Sequence, residues 1–330
     1  MANERFLVIG SNSFSGASLV AALLAEGAEV VGISRSAEPD DAMLPYKWAP
    51  YDRFRFHRLD LNHDLERIEA LIWDFRPDYV VNFAAQGMVA PSWTRPEHWF
   101  QTNTVAMVRL HDRLRKCGFL KKFVHASTPE VYGNTAGLVR EDAPLNPSTP
   151  YAVSKAACDM TLLAFHRVYG YPVAMTRAAN VCGPGQALYR IIPKTIHCVL
   201  SGRKLPLEGG GQSVRSFIHI QDVVRGTLRI ARHGRPGEVY HLATERSQTI
   251  RELVEEVCRQ MGALPEECVE PAEARLGQDA AYLLDCTKAR DQLGWSPERT
   301  TEEAIRETIA WMRRHWDRLR TLPAEYVHKE

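Results

Sequence analysis

The sequence predicts an α/β protein, a Rossmann-type doubly wound parallel sheet joined to a smaller C-terminal α/β lobe. Three observations carry this. Short apolar runs alternate with periodic helical stretches up to about residue 177. A glycine turn, Gly10-Ser-Asn-Ser-Phe-Ser-Gly16, stands between the first run and the first helix. Beyond Asn180 the alternation stops, and Gly183-Pro-Gly, Gly202 and Gly209-Gly-Gly211 cut the chain into shorter elements. Residues 1–177 with about 216–245 are therefore expected to form the larger unit, and 178–215 with 246–330 the lobe.

The elements follow in order. Phe6–Ile9, rich in β-favouring residues, is the first strand. The helix Ala17–Glu26 and the strand Val30–Ile33 come next. Phe54–Leu59, Asp78–Phe83, Lys122–Ala126 and Val173–Thr176 supply strands three to six. In the lobe, apolar residues recur at helical spacing over Thr249–Met261 and Thr301–Trp316, and the chain from Pro323 onward reads as a frayed tail.

Composition narrows the functional classes. With 330 residues, 45% hydrophobic and a formal charge of +1, the chain is an ordinary globular one without the basic field that nucleic acid requires. No apolar run reaches membrane-spanning length and no signal peptide is evident, so a cytoplasmic location is expected. The seven cysteines form no Cys-x-x-Cys pair and read as incidental thiols. The twelve histidines lack ligand spacing, so no metal is expected.

The glycine turn lies where a dinucleotide fold receives a pyrophosphate, at a helix N-terminus whose amides and dipole attract anions. Ser13 replaces the middle glycine of a Gly-x-x-Gly-x-x-Gly turn. After the second strand the chain reads Ser34-Arg35-Ser36, with no carboxylate to take an adenosine ribose hydroxyl. A guanidinium there suits a 2′-phosphate, which favours NADP, with NAD as the alternative. Asp60, after the third strand, is placed to accept from the adenine amine or, alternatively, serves as a strand-end turn residue.

Tyr151 and Lys155 stand four apart on an expected helix, so both fall on one face. An ammonium beside a phenol favours phenolate and makes the tyrosine a usable base.

Together these features resemble the extended short-chain dehydrogenase/reductases, within them the nucleotide-sugar 4,6-dehydratases. The resemblance also rests on Asn82-Phe-Ala-Ala-Gln86, Thr102-Asn103, Ser127-Thr-Pro-Glu-Val-Tyr-Gly133, Arg177 to Asn180, Gly183-Pro184, Arg215-Ser-Phe-Ile-His, Asp222 and Leu293-Gly-Trp295. It implies a dinucleotide held by Gly10, Asn12, Ser13, Phe14, Gly16, Ser34, Arg35, Asp60, Leu61, Ala84 and Ala85, together with Tyr151 and Lys155. It implies a nucleoside-diphosphate sugar bound by Gln86, Asn180, Arg215 and Arg275. Thr128, Glu130, Tyr151 and Lys155 become the catalytic set: oxidation at carbon 4, proton removal from carbon 5 by Glu130, loss of water, and hydride return to carbon 6. Pro129 departs from the family, which carries a proton donor between the threonine and the glutamate. An epimerase or decarboxylase of the same fold, or more distantly a non-catalytic dinucleotide sensor, remains the alternative. Helix Ser154–Tyr169 has more apolar surface than one core stripe needs; the resemblance implies a homodimer through it, and a fully buried helix is the competing reading.

Overall fold

The computed structural model describes residues 4–50, 52–135, 137–273 and 283–329. β1 (Arg5–Ile9) passes through the glycine turn into α1 (Phe14–Ala25), followed by β2 (Glu29–Ser34), β3 (Phe54–Arg58), α2 (Leu65–Phe75) and β4 (Tyr79–Asn82). α3 (Pro96–Phe100) continues through a π-helical turn, Gln101–Ala106, into α4 (Met107–Leu114). β5 (Lys122–Ala126), β6 (Leu138–Val139), α5 (Pro150–Tyr169) and β7 (Val173–Ala178) come next. β8 (Asn180–Cys182), α6 (Ile191–Leu200), β9 (Leu205–Glu208) and β10 (Val214–His219) open the lobe. α7 (Ile220–His233) and β11 (Val239–Leu242) return to the main sheet. β12 (Ser247–Thr249), α8 (Ile250–Met261), α9 (Pro265–Cys268), β13 (Val269–Ala272), β14 (Leu283–Leu284), α10 (Thr287–Leu293), α11 (Thr301–Arg314) and α12 (Trp316–Leu319) complete the described chain.

The main sheet runs β11-β7-β5-β4-β1-β2-β3 with every neighbouring pair parallel. β1, β4 and β7 are apolar nearly throughout because helices cover both faces, and one buried core lies on each side. Ile9 is level with Ile33 and Asn82, and Asn82 with His125, so the carboxyl ends of four strands align. Strand order reverses between β1 and β4, the place where a doubly wound sheet opens a crevice.

The six expected strands are present, and β11 is a seventh that the sequence reading did not propose. The helix expected over Thr301–Trp316 breaks at His315. α10 and Trp295 pack into a core of the larger unit although they lie in the 246–330 stretch. The frayed tail is a correction. Residues 322–329 are held by bonds to both lobes, because Leu322 and Ala324 pack on the lobe core while Lys329 and His328 find partners on the sheet side. Among the described residues no helix is long and apolar enough to cross a membrane. All seven cysteines are free, and burial pushes the Cys158, Cys182 and Cys286 thiols up to about 12, which keeps them protonated.

Candidate active site

The crevice is a cavity of ≈ 1110 Å³ lined from both lobes, large enough for more than one ligand of ordinary size. Its floor at β1 is set by glycine geometry. Gly10 has φ +83°, and a Cβ there would lie 2.6 Å from the Ala84 nitrogen; one on Gly16 would lie 2.1 Å from the Gly10 oxygen. Gly16 thus serves the packing of α1 on β1, while Gly10, Asn12, Ser13 and Phe14 line the cavity. Ser13, with φ −75°, needs no glycine: it is the N-cap of α1 and its Oγ accepts from the Gly16 amide at 3.1 Å. The Asn12 amide donates to Ser34 Oγ at 3.0 Å, and Asn12 Nδ2 donates to the Ser36 carbonyl at 3.1 Å. The turn after β1 and the turn after β2 are therefore one unit.

Ser34, Arg35, Asp60, Leu61, Ala84, Ala85 and Gln86 all line the same cavity. One Asp60 carboxylate oxygen accepts from the Asn62 amide at 2.7 Å, a turn bond that fixes its direction. Gln86 is buried: its amide donates to Asn103 Oδ1 at 2.8 Å, and Asn103 Nδ2 donates to Ser154 Oγ at 3.0 Å. Asn103 sits in the π-helical turn, which aims it between the sheet and α5.

The catalytic candidates gather at the end of β5 and the start of α5. Thr149 caps α5, Pro150 occupies its first turn, and Tyr151 and Lys155 lie buried on one face, both in the cavity wall. Lys155 Nζ donates to the Ala126 carbonyl at 2.8 Å and lies 3.0 Å from His125 Nε2. An ammonium only donates, so this ring nitrogen accepts and His125 is neutral. Burial, with Lys155 second, holds the His125 pKa well below its ordinary value, and burial lowers that of Lys155 as well. Thr128 is the N-cap of a short 3₁₀ turn, Pro129–Tyr132, and Glu130 follows two residues later; both line the cavity. Pro129 stands at the first position of that turn, where no amide hydrogen is needed, and it is buried.

One turn beyond Lys155, Asp159 continues the same face of α5. Its Oδ2 accepts from Ser127 Oγ at 2.6 Å and from Arg177 of β7 at 2.8 Å, the ion pair being 0% and 2% exposed. Arg177 also donates to the Tyr132 hydroxyl, which lies 2.7 Å from His241 Nε2. This buried network clamps the segment that carries Thr128 and Glu130 onto α5. The sequence reading named Arg177 only within a motif and missed Asp159, although its spacing of four from Lys155 was a signal.

Asn180 and Arg215 line the cavity from the lobe, on β8 and β10. Arg275 lies outside the described residues. Tyr189, Arg190, Lys194, Tyr326 and Lys329 also line the cavity and were not anticipated. His111, His125 and Cys158 meet within 4.8 Å in the buried layer under α5 despite their distance in sequence. There His111 Nδ1 lies 3.0 Å from the Tyr171 hydroxyl, and burial lowers its pKa to about 3.

Comparison with known proteins agrees with this geometry. The chain is 39% identical over 251 residues to a dTDP-glucose 4,6-dehydratase of Streptomyces antibioticus, covering 75% of this chain and 74% of that one. A dTDP-glucose 4,6-dehydratase from Streptomyces venezuelae, solved with NAD and a second ligand, superposes with a TM-score of 0.88 at 33% identity, over 95% of this chain and 98% of its own. A UDP-glucose 4-epimerase from Thermotoga maritima, solved with UDP-glucose, reaches 0.86 at 28% identity, over 94% and 99%. The sequence model described as GDP-mannose 4,6 dehydratase matches residues 7–308, and the chain belongs to that family.

Proposed function

We propose that the protein is a nucleotide-sugar 4,6-dehydratase, converting a nucleoside-diphosphate hexose to its 4-keto-6-deoxy form. The observation that carries this is the convergence of Thr128, Glu130, Tyr151 and Lys155 on one cavity wall, with the glycine turn on one side and Asn180 and Arg215 on the other. The amides at the N-terminus of α1 and the close approach at Gly10 fit a dinucleotide pyrophosphate. A nicotinamide dinucleotide bound there supplies a hydride acceptor that is restored within each turnover.

In this reading Tyr151 takes the proton of the carbon 4 hydroxyl, and Thr128 hydrogen-bonds the same oxygen. Lys155, held by Ala126 and His125, keeps positive charge beside the phenol. Glu130 removes the acidified carbon 5 proton. Pro129 cannot act as an acid, so the carboxylic acid formed on Glu130 also protonates the departing hydroxide, which requires syn elimination. Asn180 and Arg215 hold the diphosphate, for which a guanidinium fork is suited, and Gln86 borders the sugar. Arg275 is assigned to the same diphosphate on the resemblance alone.

The finer cofactor choice is NADP, supported by Ser34-Arg35-Ser36 at the end of β2 where an acidic residue is absent. Removing Arg35 should weaken NADP by about 1.5–3 kcal/mol, the scale of a charged hydrogen bond, and leave NAD nearly unchanged. We also propose a homodimer through α5, supported by exposed Met160 (61%) and Val168 (71%) on the face away from the sheet.

The epimerase alternative draws on the structural likeness to a 4-epimerase. Glu130 weighs against it, since inversion at carbon 4 needs no carbon 5 base. The test uses dTDP-glucose, GDP-mannose and UDP-glucose, each deuterated at carbon 4. A product lighter by one water with deuterium at carbon 6 is expected, together with loss of substrate oxidation by at least about 10²-fold in Tyr151→Phe. Return of the label to carbon 4 without water loss would make the enzyme an epimerase.

A further inference from the structure

Residues 322–329 bridge the two lobes across the crevice. On the lobe side, Glu325 pairs with Lys194 of α6 at 3.0 Å and the Tyr326 ring meets Tyr189 edge-on at 5.4 Å. On the sheet side, His328 stacks on Trp99 with centroids 5.1 Å apart and lies 2.9 Å from His98 Nδ1. Gln86 Nε2 donates to the Lys329 carbonyl at 2.6 Å, which fixes the backbone of this strap above the cavity. The Lys329 ammonium then donates to Ser36 Oγ at 3.2 Å, and Lys329, Arg35, Ser34 and Ser36 share the cavity wall. The carboxylates nearby are already committed: Glu38 to Tyr46 at 2.7 Å and to Lys47 at 3.2 Å, Asp40 to Arg318 at 2.8 Å.

We propose that Lys329, delivered by this strap, is the second cation of an adenosine 2′-phosphate site whose first cation is Arg35. A phosphate monoester brings up to two negative charges and three acceptor oxygens, more than one guanidinium satisfies. The ammonium and the Ser36 hydroxyl, which bond each other here, provide two further donors. Binding of the 2′-phosphate and seating of the strap are then coupled, and the dinucleotide is retained through the catalytic cycle. This rests on the NADP reading.

The test measures dissociation constants of NADP and NAD by calorimetry for the wild type, Lys329→Met, Lys329→Arg and Arg35→Met. Lys329→Met is expected to weaken NADP about tenfold while NAD changes less than about twofold, with Lys329→Arg restoring the preference. If Lys329→Met leaves NADP unchanged, or weakens both cofactors alike, while Arg35→Met is selective for NADP, the role of Lys329 is overturned and the NADP reading stands. If the wild type binds NAD at least as tightly as NADP and neither variant is selective, the NADP reading falls and the proposal with it.

Discussion

The two walls of the crevice are built on different physics. The glycine-turn wall is held by short local bonds and steric fit: Gly10 against Ala84, Ser13 capping α1, Asn12 tied to Ser34 and Ser36. The catalytic wall is held by buried polar groups from distant parts of the chain, with Asp159 of α5, Arg177 of β7, Ser127, Tyr132 and His241 in one network. The first wall should fail gradually and affect binding. The second should fail cooperatively, because a buried charge that loses its partner has no water to replace it.

The largest effect of a single substitution is expected at the ion pair. Asp159→Asn leaves the Arg177 guanidinium, 2% exposed, without its counter-charge, and should cost about 3–5 kcal/mol in urea unfolding. A loss no larger than that of a surface substitution would erase the distinction between the walls. Acid comes next. His111 and His241 are held neutral with pKa values of about 3, and His125 is also held well below the ordinary 6.5, burial being the first cause in each. The unfolded chain therefore binds more protons below about pH 6.5, so the stability present above that pH is lost as pH falls towards 3. His111 and His241 should each contribute a slope of up to about 1.4 kcal/mol per pH unit through that window, and His125 acts in the same direction, read from urea midpoints at several pH values. Replacing His241 by Gln should flatten the slope; an unchanged slope would place the acid sensitivity elsewhere.

On the other wall, Gly10→Ala should cost about 2 kcal/mol, from the left-handed backbone conformation and the contact with Ala84. Its larger consequence should be loss of dinucleotide binding with the fold retained, seen as a calorimetric null in a protein of normal circular dichroism. The smallest effect on the fold is expected on the outer face of α5. Met160→Glu should change unfolding free energy by less than about 0.5 kcal/mol, yet shift the protein to monomer in sedimentation. A persistent dimer would move the interface off this helix.

The same division explains what was legible. Glycine spacing and apolar runs are local, and they gave the six strands and the turn after β1; the helix expected over Ser154–Tyr169 starts four residues earlier, at Pro150, where Thr149 caps it. The pair Tyr151 and Lys155 was visible because helical periodicity puts i and i+4 on one face. His125 as the partner of Lys155, and Asn103 between Gln86 and Ser154, were not visible, since β-strand register and a π-helical turn bring them there. The strap was misread for the opposite reason: Pro323 and a polar run look disordered locally, and only its partners on two lobes order it.

By itself, then, the sequence determined the fold class, the glycine turn after β1 and the placing of Tyr151 and Lys155 on one helix face, because these depend on residue type and spacing along the chain, whereas Thr128 and Glu130 were named on the family resemblance. Only the tertiary structure decided which charges are neutralised, which histidines stay neutral and how residues 322–329 reach the cavity. Those outcomes depend on burial and on pairings between residues far apart in sequence, such as Gln86 with Lys329 and Asp159 with Arg177, which no local pattern encodes.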